Sequence, residues 1–316
     1  MELIRGLHNL RDKHHGCVLT IGNFDGVHLG HQAVLGRLAE QAATLKLPSV
    51  VMIFEPQPQE FFLSGKAPAR LNRLREKLLS LTRYGVDRVV CVNFDQQFSK
   101  MDAQQFIDLL VYKLGVRYLV IGDDFRFGCE RQGDFAMLQQ AGAEHGFDVV
   151  NMHTFNVEHG RVSSTRLREC LQQGALQQAE KLLGRPYRIC GRVAHGDKRG
   201  RQLGFPTANV HLHRISVPIQ GVFAVEVFGL TGEPIAGVAN IGTRPTVEGS
   251  RSILEVHLLD FSEEIYGCYI QVDFLHKLRQ EQRFASLDAL MAQITQDVAQ
   301  ARAFFSINRQ PAGLQA

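Results

Sequence analysis

Two histidines and three glycines occur within ten residues near the N-terminus, in the segment Gly22–His31. Glycines let a backbone approach a phosphate chain closely, because no Cβ intervenes. The helix that we predict from Leu29 directs unpaired N–H groups and a partial positive charge to the same place. His28 and His31 are three residues apart, so both rings can lie on one helix face and donate hydrogen bonds to a transferring phosphoryl group.

Zinc binding is an alternative use of two histidines at this spacing. The sequence offers no third ligand nearby, and zinc sites in proteins have at least three protein ligands. A single histidine at a helix start is usually a cap or a surface residue. A pair that includes an intervening glycine and directly follows a predicted strand favours a chemical role.

The segment Gly191–Asn209 has four glycines and four basic residues, a composition typical of a flexible anion-binding loop. Read alone, it suits an RNA backbone as well, although almost no aromatic residues accompany the charges for base stacking. Thr207 and Asn209 are two residues apart, so on an extended segment they project to the same side. Their hard oxygens suit Mg²⁺ that is held largely by nucleotide phosphates. The candidate nucleotide contacts in this segment are Gly191, Gly196, Lys198 and Gly204.

Residues 1–155 alternate between short apolar runs and amphipathic stretches with helical spacing. The predicted strands are Cys17–Ile21, Ser49–Phe54, Arg88–Val92, Tyr118–Ile121 and Phe147–Met152. The predicted helices between them are Leu29–Leu45, Leu71–Tyr84, Ala103–Leu114 and Phe135–Glu144. This alternation predicts an α/β domain with a parallel sheet and crossover helices. Ligands of such sheets bind at the carboxyl ends of the strands, which is where the histidine pair lies.

The period of the apolar residues changes after residue 184. Two helical pieces broken at Gly174 end at the stop signal Gly184-Arg185-Pro186, so we predict domains of residues 1–184 and 185–316. The second domain alternates with period two, as in Val222–Phe228, and predicts a small antiparallel β-barrel with a terminal helix from Ser286 to about Phe305. Glu255 lies in another alternating run and by itself is read as a solvent-facing residue.

The composition excludes several classes of protein. The 316 residues are 45% hydrophobic and 21% charged with a net charge of +3, which argues against disorder and against a strongly basic nucleic-acid-coating protein. No run approaches the roughly 18 apolar residues that span a bilayer. With no evident export signal and no C-x-x-C pair, we expect the six cysteines to be reduced and buried, and the protein to be cytoplasmic with neither membrane nor nucleic acid as partner. Nothing in the sequence indicates an oligomeric state.

The Gly22–His31 decapeptide resembles the H-x-G-H signature of nucleotidylyltransferases, and its longer form resembles the adenylyltransferase module of prokaryotic FAD synthetases. The resemblance implies a Rossmann-like fold and catalytic roles for His28 and His31. It also implies nucleotide contacts from Gly22, Asn23, Phe24, Asp25 and Gly26. The segment after the second predicted strand is similar to the family's F-x-P-x-P segment, which implies flavin contacts from Phe54, Pro56 and Pro58.

Two further loops extend this resemblance. Gly122–Gly128 resembles the family's G-x-[DN]-F-x-F-G loop and implies that Asp124 contacts the nucleotide. The family's S-S-T-x-x-R motif is matched at Ser164, Thr165 and Arg168. Hydroxyls at a helix N-terminus suit an anion, and a catalytic arginine one turn further on suits bidentate contact with a phosphate.

The second domain is similar to the riboflavin kinase module, whose G-F-P-T-A-N segment is matched at Gly204–Asn209. Further matches are Gly237–Thr246, Leu254–Phe261, Tyr266–Gly267 and Leu278–Glu281. The resemblance implies that Thr207 and Asn209 hold Mg²⁺ and ATP, and that Glu255 is the catalytic base for the ribityl hydroxyl of riboflavin.

Both resemblances together imply a bifunctional enzyme of flavin cofactor synthesis. The C-terminal domain would phosphorylate riboflavin to FMN with ATP, and the N-terminal domain would adenylylate FMN with a second ATP, giving FAD and pyrophosphate. One alternative is a nucleotidylyltransferase for another phosphorylated acceptor, with a barrel that only binds. Two others are an RNA-binding regulator that uses the Gly191–Asn209 loop, and a protein that binds FAD without turnover.

Overall fold

The computed structural model describes residues 1–63, 65–122, 124–152, 155–157, 160–195, 204–212, 214, 216–246 and 249–308. The chain forms two compact units, Met1–Pro68 with Asn72–Ser164, and Ala69–Leu71 with Thr165–Ala316. The residues between Ser164 and Gly184 therefore group with the second unit by compactness. A functional boundary after Gly184, which follows from the change of sequence period, stays a prediction.

The first unit, within its described residues, contains a six-stranded parallel sheet in the order β1-β4-β3-β2-β5-β6. Its strands are β1 (Glu2–Arg5), β2 (Cys17–Ile21), β3 (Ser49–Glu55), β4 (Arg88–Asn93), β5 (Val116–Gly122) and β6 (Asp148–Met152), with a small antiparallel pair β7 (Asn156–Val157) and β8 (Gly160–Arg161). Its helices are α1 (Leu29–Leu45), α2 (Pro58–Leu63), α3 (Leu74–Arg83), α4 (Gln96–Ser99), α5 (Ala103–Asp108), which continues as a π-helical turn (Leu109–Lys113), and α6 (Phe135–His145).

Both faces of this sheet are covered, which explains why its central strands are continuous apolar runs. On β2, Leu19 packs into one core with Phe106 of α5, while Val18 packs into the other with Leu35 of α1. The chain runs from β2 outward to β3 and β4 on one side, and β5 and β6 lie on the other side. The strand order thus reverses between β2 and β5, and ligands of open α/β sheets bind at such a point.

The second unit contains, in its described part, a closed antiparallel barrel in the order β10-β13-β12-β11-β14-β9. Its elements are α7 (Ser164–Gln173), α8 (Leu176–Leu183), β9 (Tyr187–Ala194), β10 (Ala208–Val210), β11 (Gly221–Phe228), β12 (Ile235–Thr246), β13 (Gly249–Leu258), β14 (Tyr269–Arg279) and α9 (Leu287–Asn308). The barrel wall is covered on one side by α9, whose Ala301 and Phe305 pack against Val222 and Val238. The predicted fold class is confirmed for both halves of the chain.

The six cysteines, all within the described residues, form no disulfide, and not all of them are buried. Cys17, Cys91 and Cys190 are buried, whereas Cys268 is exposed, so the expectation of six buried cysteines is wrong. Cys268 directly precedes β14 and follows the turn at Tyr266 and Gly267. Within the described residues, no helix combines the length and the apolar character that crossing a membrane requires.

Candidate functional site

The Gly22–His31 loop lies at the carboxyl end of β2, where the strand order of the sheet reverses. Its backbone enters the left-handed region at Phe24 (φ 47°), Gly26 (φ 88°) and Val27 (φ 43°). For a β-branched residue such as Val27 this conformation is strained, at a cost of about 1–3 kcal/mol. Phe24 and Val27 are both buried, so packing holds the loop in this shape.

His28 is the N-cap of α1, and its Nδ1 accepts a hydrogen bond from the backbone N–H of His31 at 3.3 Å. A neutral ring whose Nδ1 accepts carries its proton on Nε2, so the cap fixes the tautomer of His28. The two imidazoles stack, with ring centroids 3.7 Å apart and planes 13° apart. Gly30 makes room for this arrangement, because a Cβ there would lie 3.3 Å from Cε1 and Nδ1 of His28.

The ring of His31 is in an environment that disfavours its charged form. Burial, the neighbouring His28 and the positive charge of Lys77 together lower the pKa of His31 well below its usual value. Lys77 lies on α3 with 0% of its surface exposed. Sequence reasoning missed this lysine, although it occupies an apolar-face position of α3 together with Leu74 and Leu81.

Asp25, predicted as a nucleotide contact, holds the loop in place. Its side chain is buried, and Oδ1 accepts the backbone N–H of Asn72 at 3.0 Å. The backbone carbonyl of Asp25 accepts a hydrogen bond from the hydroxyl of Ser164, the last residue of the first unit, at 2.8 Å. Gly22 packs under the ring of Phe24, where a Cβ would lie 3.3 Å from Cε2.

The remaining polar residues of the predicted adenylyl-transfer site have partners of their own. The exposed carboxylate of Asp124 pairs with Arg161 of β8 at 2.8 Å. Thr165 and Arg168 lie on α7 in the second unit, and Nε of Arg168 donates to the carbonyl of Ala69 at 2.7 Å. Their assignment to a phosphate therefore stays a prediction from the motif.

An aromatic cluster lies where β3 and β4 end, beside the predicted flavin segment. Phe54, one residue before the end of β3, lies 5.9 Å from Phe94 and 5.7 Å from Phe98, measured between ring centroids. Phe61 and Phe62 of α2 lie 5.5 Å and 5.7 Å from Phe94, and Phe62 is 64% exposed. The motif identified Phe54, Pro56 and Pro58 but not the other four rings. Their common signal is that each follows the end of one of two neighbouring strands.

The second unit brings Thr207, Asn209 and Glu255 to one region of the barrel wall. Asn209 of β10 is paired across the sheet with Glu255 of β13, and Glu255 is paired on its other side with Asn240 of β12. Residues directly opposite one another in antiparallel strands carry their side chains on the same face. The flanking Leu254 and Val256 are fully buried inside the barrel, so the row Asn209–Glu255–Asn240 lies on the outer face.

His257 anchors the G-F-P-T-A-N segment to β13. Its Nδ1–H donates to the carbonyl of Pro206 at 2.8 Å, and its ring contacts Phe205 edge-on at 5.7 Å between centroids. This bond fixes the backbone just before Thr207. Sequence reasoning gave His257 no role, although it lies two residues after Glu255 in the same strand.

The predicted glycine contacts of this unit have different surroundings. Gly191 lies within β9, where a Cβ would collide with Val210 and the carbonyl of His211, so close strand packing explains this glycine. Gly204 adopts φ 83°, and among the described residues no atom outside its own chain neighbours lies within 4 Å of the position that a Cβ would take. Gly196 and Lys198 lie outside the described residues. No group of three His, Cys, Asp or Glu side chains suited to a metal occurs in the part of the chain that the structure describes.

Two protein families match separate parts of the chain. Residues 10–166 match the FAD synthetase family and residues 183–305 match the riboflavin kinase family. The bifunctional riboflavin kinase/FMN adenylyltransferase of Escherichia coli K12 is 57% identical over 98% of this chain and 99% of its own length, and that of Pseudomonas fluorescens is 55% identical over 96% and 97%. A crystal structure described as a macrolide-efflux protein from Streptococcus pneumoniae has a TM-score of 0.81 at 29% identity, over 96% of this chain and 99% of that one. The chain belongs to the family of bifunctional riboflavin kinases/FMN adenylyltransferases.

Proposed function

We propose that each activity of this family is carried by one motif set, with adenylylation of FMN in residues 1–184 and phosphorylation of riboflavin in residues 185–316. ATP and flavins are the substrates. The observation that carries the assignment is the separation of two chemically different groups. In the first unit, His28 caps α1 and stacks on His31. In the second unit, the Glu255 carboxylate lies on the barrel wall between the amides of Asn209 and Asn240.

For adenylyl transfer, a phosphate oxygen of FMN attacks the α-phosphorus of ATP, and the bond to pyrophosphate breaks. The protein needs no nucleophile of its own, so its task is to orient the phosphates and stabilise the charge that develops on them. The α1 N-terminus and the Nε2–H of His28 supply donors for this charge, and Ser164, Thr165 and Arg168 would hold the departing phosphates. A neutral His31 in the stack keeps the second imidazole available as a hydrogen-bonding group.

The flavin of FMN would lie against the aromatic cluster. Its ring system is flat and apolar on both faces, as are the side chains of Phe54, Phe62 and Phe94. Pro56 and Pro58 flank the entrance at the end of β3. When a flat apolar ligand covers an exposed phenylalanine such as Phe62, apolar surface is removed from water, and this favours binding.

For phosphorylation of riboflavin, Glu255 would accept the proton of the ribityl hydroxyl as that oxygen attacks the γ-phosphorus of ATP, while the bond from the γ-phosphorus to the β,γ-bridging oxygen breaks and ADP leaves. The carboxylate belongs to a strand between two others, so its backbone is held by the barrel. Thr207 and Asn209 present hard oxygens beside it and would hold Mg²⁺ with ATP. The bound ion supplies neutralisation of phosphate charge, which is a large part of phosphoryl-transfer catalysis. Phosphorylation of riboflavin yields FMN, and adenylylation of FMN then yields FAD as the final product.

The test is a time course of purified protein with riboflavin, ATP and Mg²⁺, in which flavins are separated by chromatography. We expect FMN to appear first and FAD later. FMN alone would leave the first unit without its proposed activity. FAD from supplied FMN but no product from riboflavin would remove Glu255 from the kinase reaction.

A further inference from the structure

Asn240 has no role in the assignments above, yet it lies directly beside the kinase carboxylate. It is paired with Glu255 across β12 and β13, and Glu255 is paired in turn with Asn209 across β13 and β10. The three side chains therefore form a row of amide, carboxylate and amide on one face. The next residue along the row is Val222 of β11, which is covered by α9. Asn240 thus stands at the end of the polar row, between Glu255 and an apolar boundary.

The amide oxygen of Asn240 is in an unusual state. Oδ1 is buried and has no hydrogen-bond partner among the residues that the structure describes, although the residue as a whole is partly exposed. Buried polar atoms are almost always hydrogen-bonded, because an unpaired one costs its full desolvation free energy. An O–H or N–H donor supplied by a ligand would satisfy this oxygen.

The order of the row indicates which ligand brings that donor. Asn209, which together with Thr207 would hold the nucleotide and its metal, lies on one side of Glu255, and Asn240 lies on the other. In phosphoryl transfer the attacking oxygen and the leaving oxygen lie on opposite sides of the phosphorus, and the base contacts the attacking one. The acceptor substrate therefore approaches from the side of Asn240. Its ribityl chain carries several hydroxyls, each an O–H donor of the kind that Oδ1 lacks.

We propose that Asn240 is a riboflavin-binding residue of the kinase site, whose Oδ1 accepts a hydrogen bond from a ribityl hydroxyl adjacent to the one that is phosphorylated. The inference rests on the proposed function of Glu255 and Asn209. It assigns to this amide the recognition of the sugar-alcohol chain, separately from the isoalloxazine ring.

The test compares riboflavin with lumiflavin, which has the same ring system without the ribityl chain. Kinase initial rates of the full-length protein give the KM for riboflavin and the inhibition constant of lumiflavin. In Asn240→Ala we expect the riboflavin KM to rise about tenfold, the loss of one hydrogen bond. The inhibition constant of lumiflavin, the KM for ATP and the half-saturating Mg²⁺ concentration should be unchanged.

A matched control is Ser252→Ala on the neighbouring strand. Ser252 is also buried, and its Oγ also has no partner in the described part of the chain. It lies two residues before the inward-facing Leu254, so it is on the inner face of the barrel and not in the polar row. Ser252→Ala should leave both the riboflavin KM and the lumiflavin inhibition constant unchanged. Conversion of FMN to FAD in each variant reports on the first unit, and thermal unfolding reports on the barrel. If Asn240→Ala does not fold, Asn240→Ser keeps an oxygen acceptor in a smaller side chain and should raise the riboflavin KM by less than tenfold.

Three results would overturn the inference. If the riboflavin KM and the lumiflavin inhibition constant rise equally in Asn240→Ala, Asn240 is a structural residue. If only the ATP KM or the half-saturating Mg²⁺ concentration changes, Asn240 belongs to the metal side. If none of these constants changes, Asn240 is not part of the site. The proposed role of Glu255 is judged separately, because Glu255→Gln tests the rate of transfer and the lumiflavin comparison tests recognition. Either can fail while the other holds.

Discussion

The two units build their candidate sites in different ways. In the first unit the site residues follow one another in loops after strands, so His28 and His31 are neighbours in sequence as well as in space. In the second unit the site is a row across a barrel wall, and Asn209, Glu255 and Asn240 come from three different strands. A parallel sheet collects loops at one edge, whereas an antiparallel barrel collects side chains through its register.

This difference determines how readily each site is recognised from the sequence and how each responds to substitution. A contiguous motif reveals its members together, but its geometry depends on a strained loop. A cross-strand row has a geometry that the barrel fixes, but its members are dispersed along the sequence. Substitutions in the two units should therefore separate the activities, and they should differ in whether they also disturb local structure.

The largest effect is expected for Glu255→Gln. The variant keeps the size of the side chain and removes its basicity, so phosphorylation of riboflavin should slow by about 10²–10⁴-fold. Adenylylation of supplied FMN should remain at the wild-type rate. Both rates are measured by chromatography of the flavins, and a loss of both activities in folded protein would contradict the separation of the two sites.

The reciprocal experiment changes the histidine pair. His28→Ala or His31→Ala should each slow FAD formation by about 10²–10³-fold, because one preorganised donor is lost. Riboflavin phosphorylation should be unaffected. His28→Asn is the control for the cap, since asparagine caps helices well. It should restore thermal stability without restoring the rate, and a restored rate would show that His28 acts only as a cap.

A smaller effect is expected for His257→Phe. The ring remains beside Phe205, but the hydrogen bond to the Pro206 carbonyl is lost, which loosens the backbone before Thr207. We expect the Mg²⁺ concentration needed for half-maximal kinase activity to rise by up to about tenfold, the value of one hydrogen bond. His276→Phe is a matched control, because His276 stacks on Phe304 in the same unit. An equal change in both variants would contradict a specific role of His257.

The smallest effect at neutral pH is expected for Lys77→Met. The positive charge of Lys77 helps to lower the pKa of His31, so its removal should raise that pKa. Because we propose that His31 acts as a neutral ring, the acid limb of the pH profile for FAD formation should move to higher pH, with little change above neutrality. Lys113→Met, at an exposed position of the same unit, is the control. An unmoved acid limb in Lys77→Met would show that the charge of Lys77 does not reach His31.

The sequence predicted the fold well where periodicity is strong. The bounds of β2 and α1 agree with the structure residue for residue, and the two helical pieces broken at Gly174 are present as α7 and α8. The edge strand β1 was missed because four residues are too few to show a period. The helix predicted from Leu71 begins at Leu74, where Arg73 is the N-cap and its backbone N–H donates to the Glu76 carboxylate at 2.7 Å.

For the candidate sites, the sequence indicated residues that belong to contiguous motifs and missed those joined only by folding. Lys77, Phe94 and Phe98 come to the first site through helix packing and strand order, neither of which a local pattern encodes. Asn240 joins Glu255 through the strand register of the barrel, which depends on hairpin geometry rather than on the spacing of residues.

Gly30 contributes no donor, acceptor or charge, yet any side chain at this position would press against the ring of His28. In a survey of tolerated substitutions we therefore expect side chains at Gly30 to be disfavoured, because the His28 ring would have to shift. Tolerance to mutation in this loop would then report the space that the imidazoles need in addition to the chemistry proposed for them.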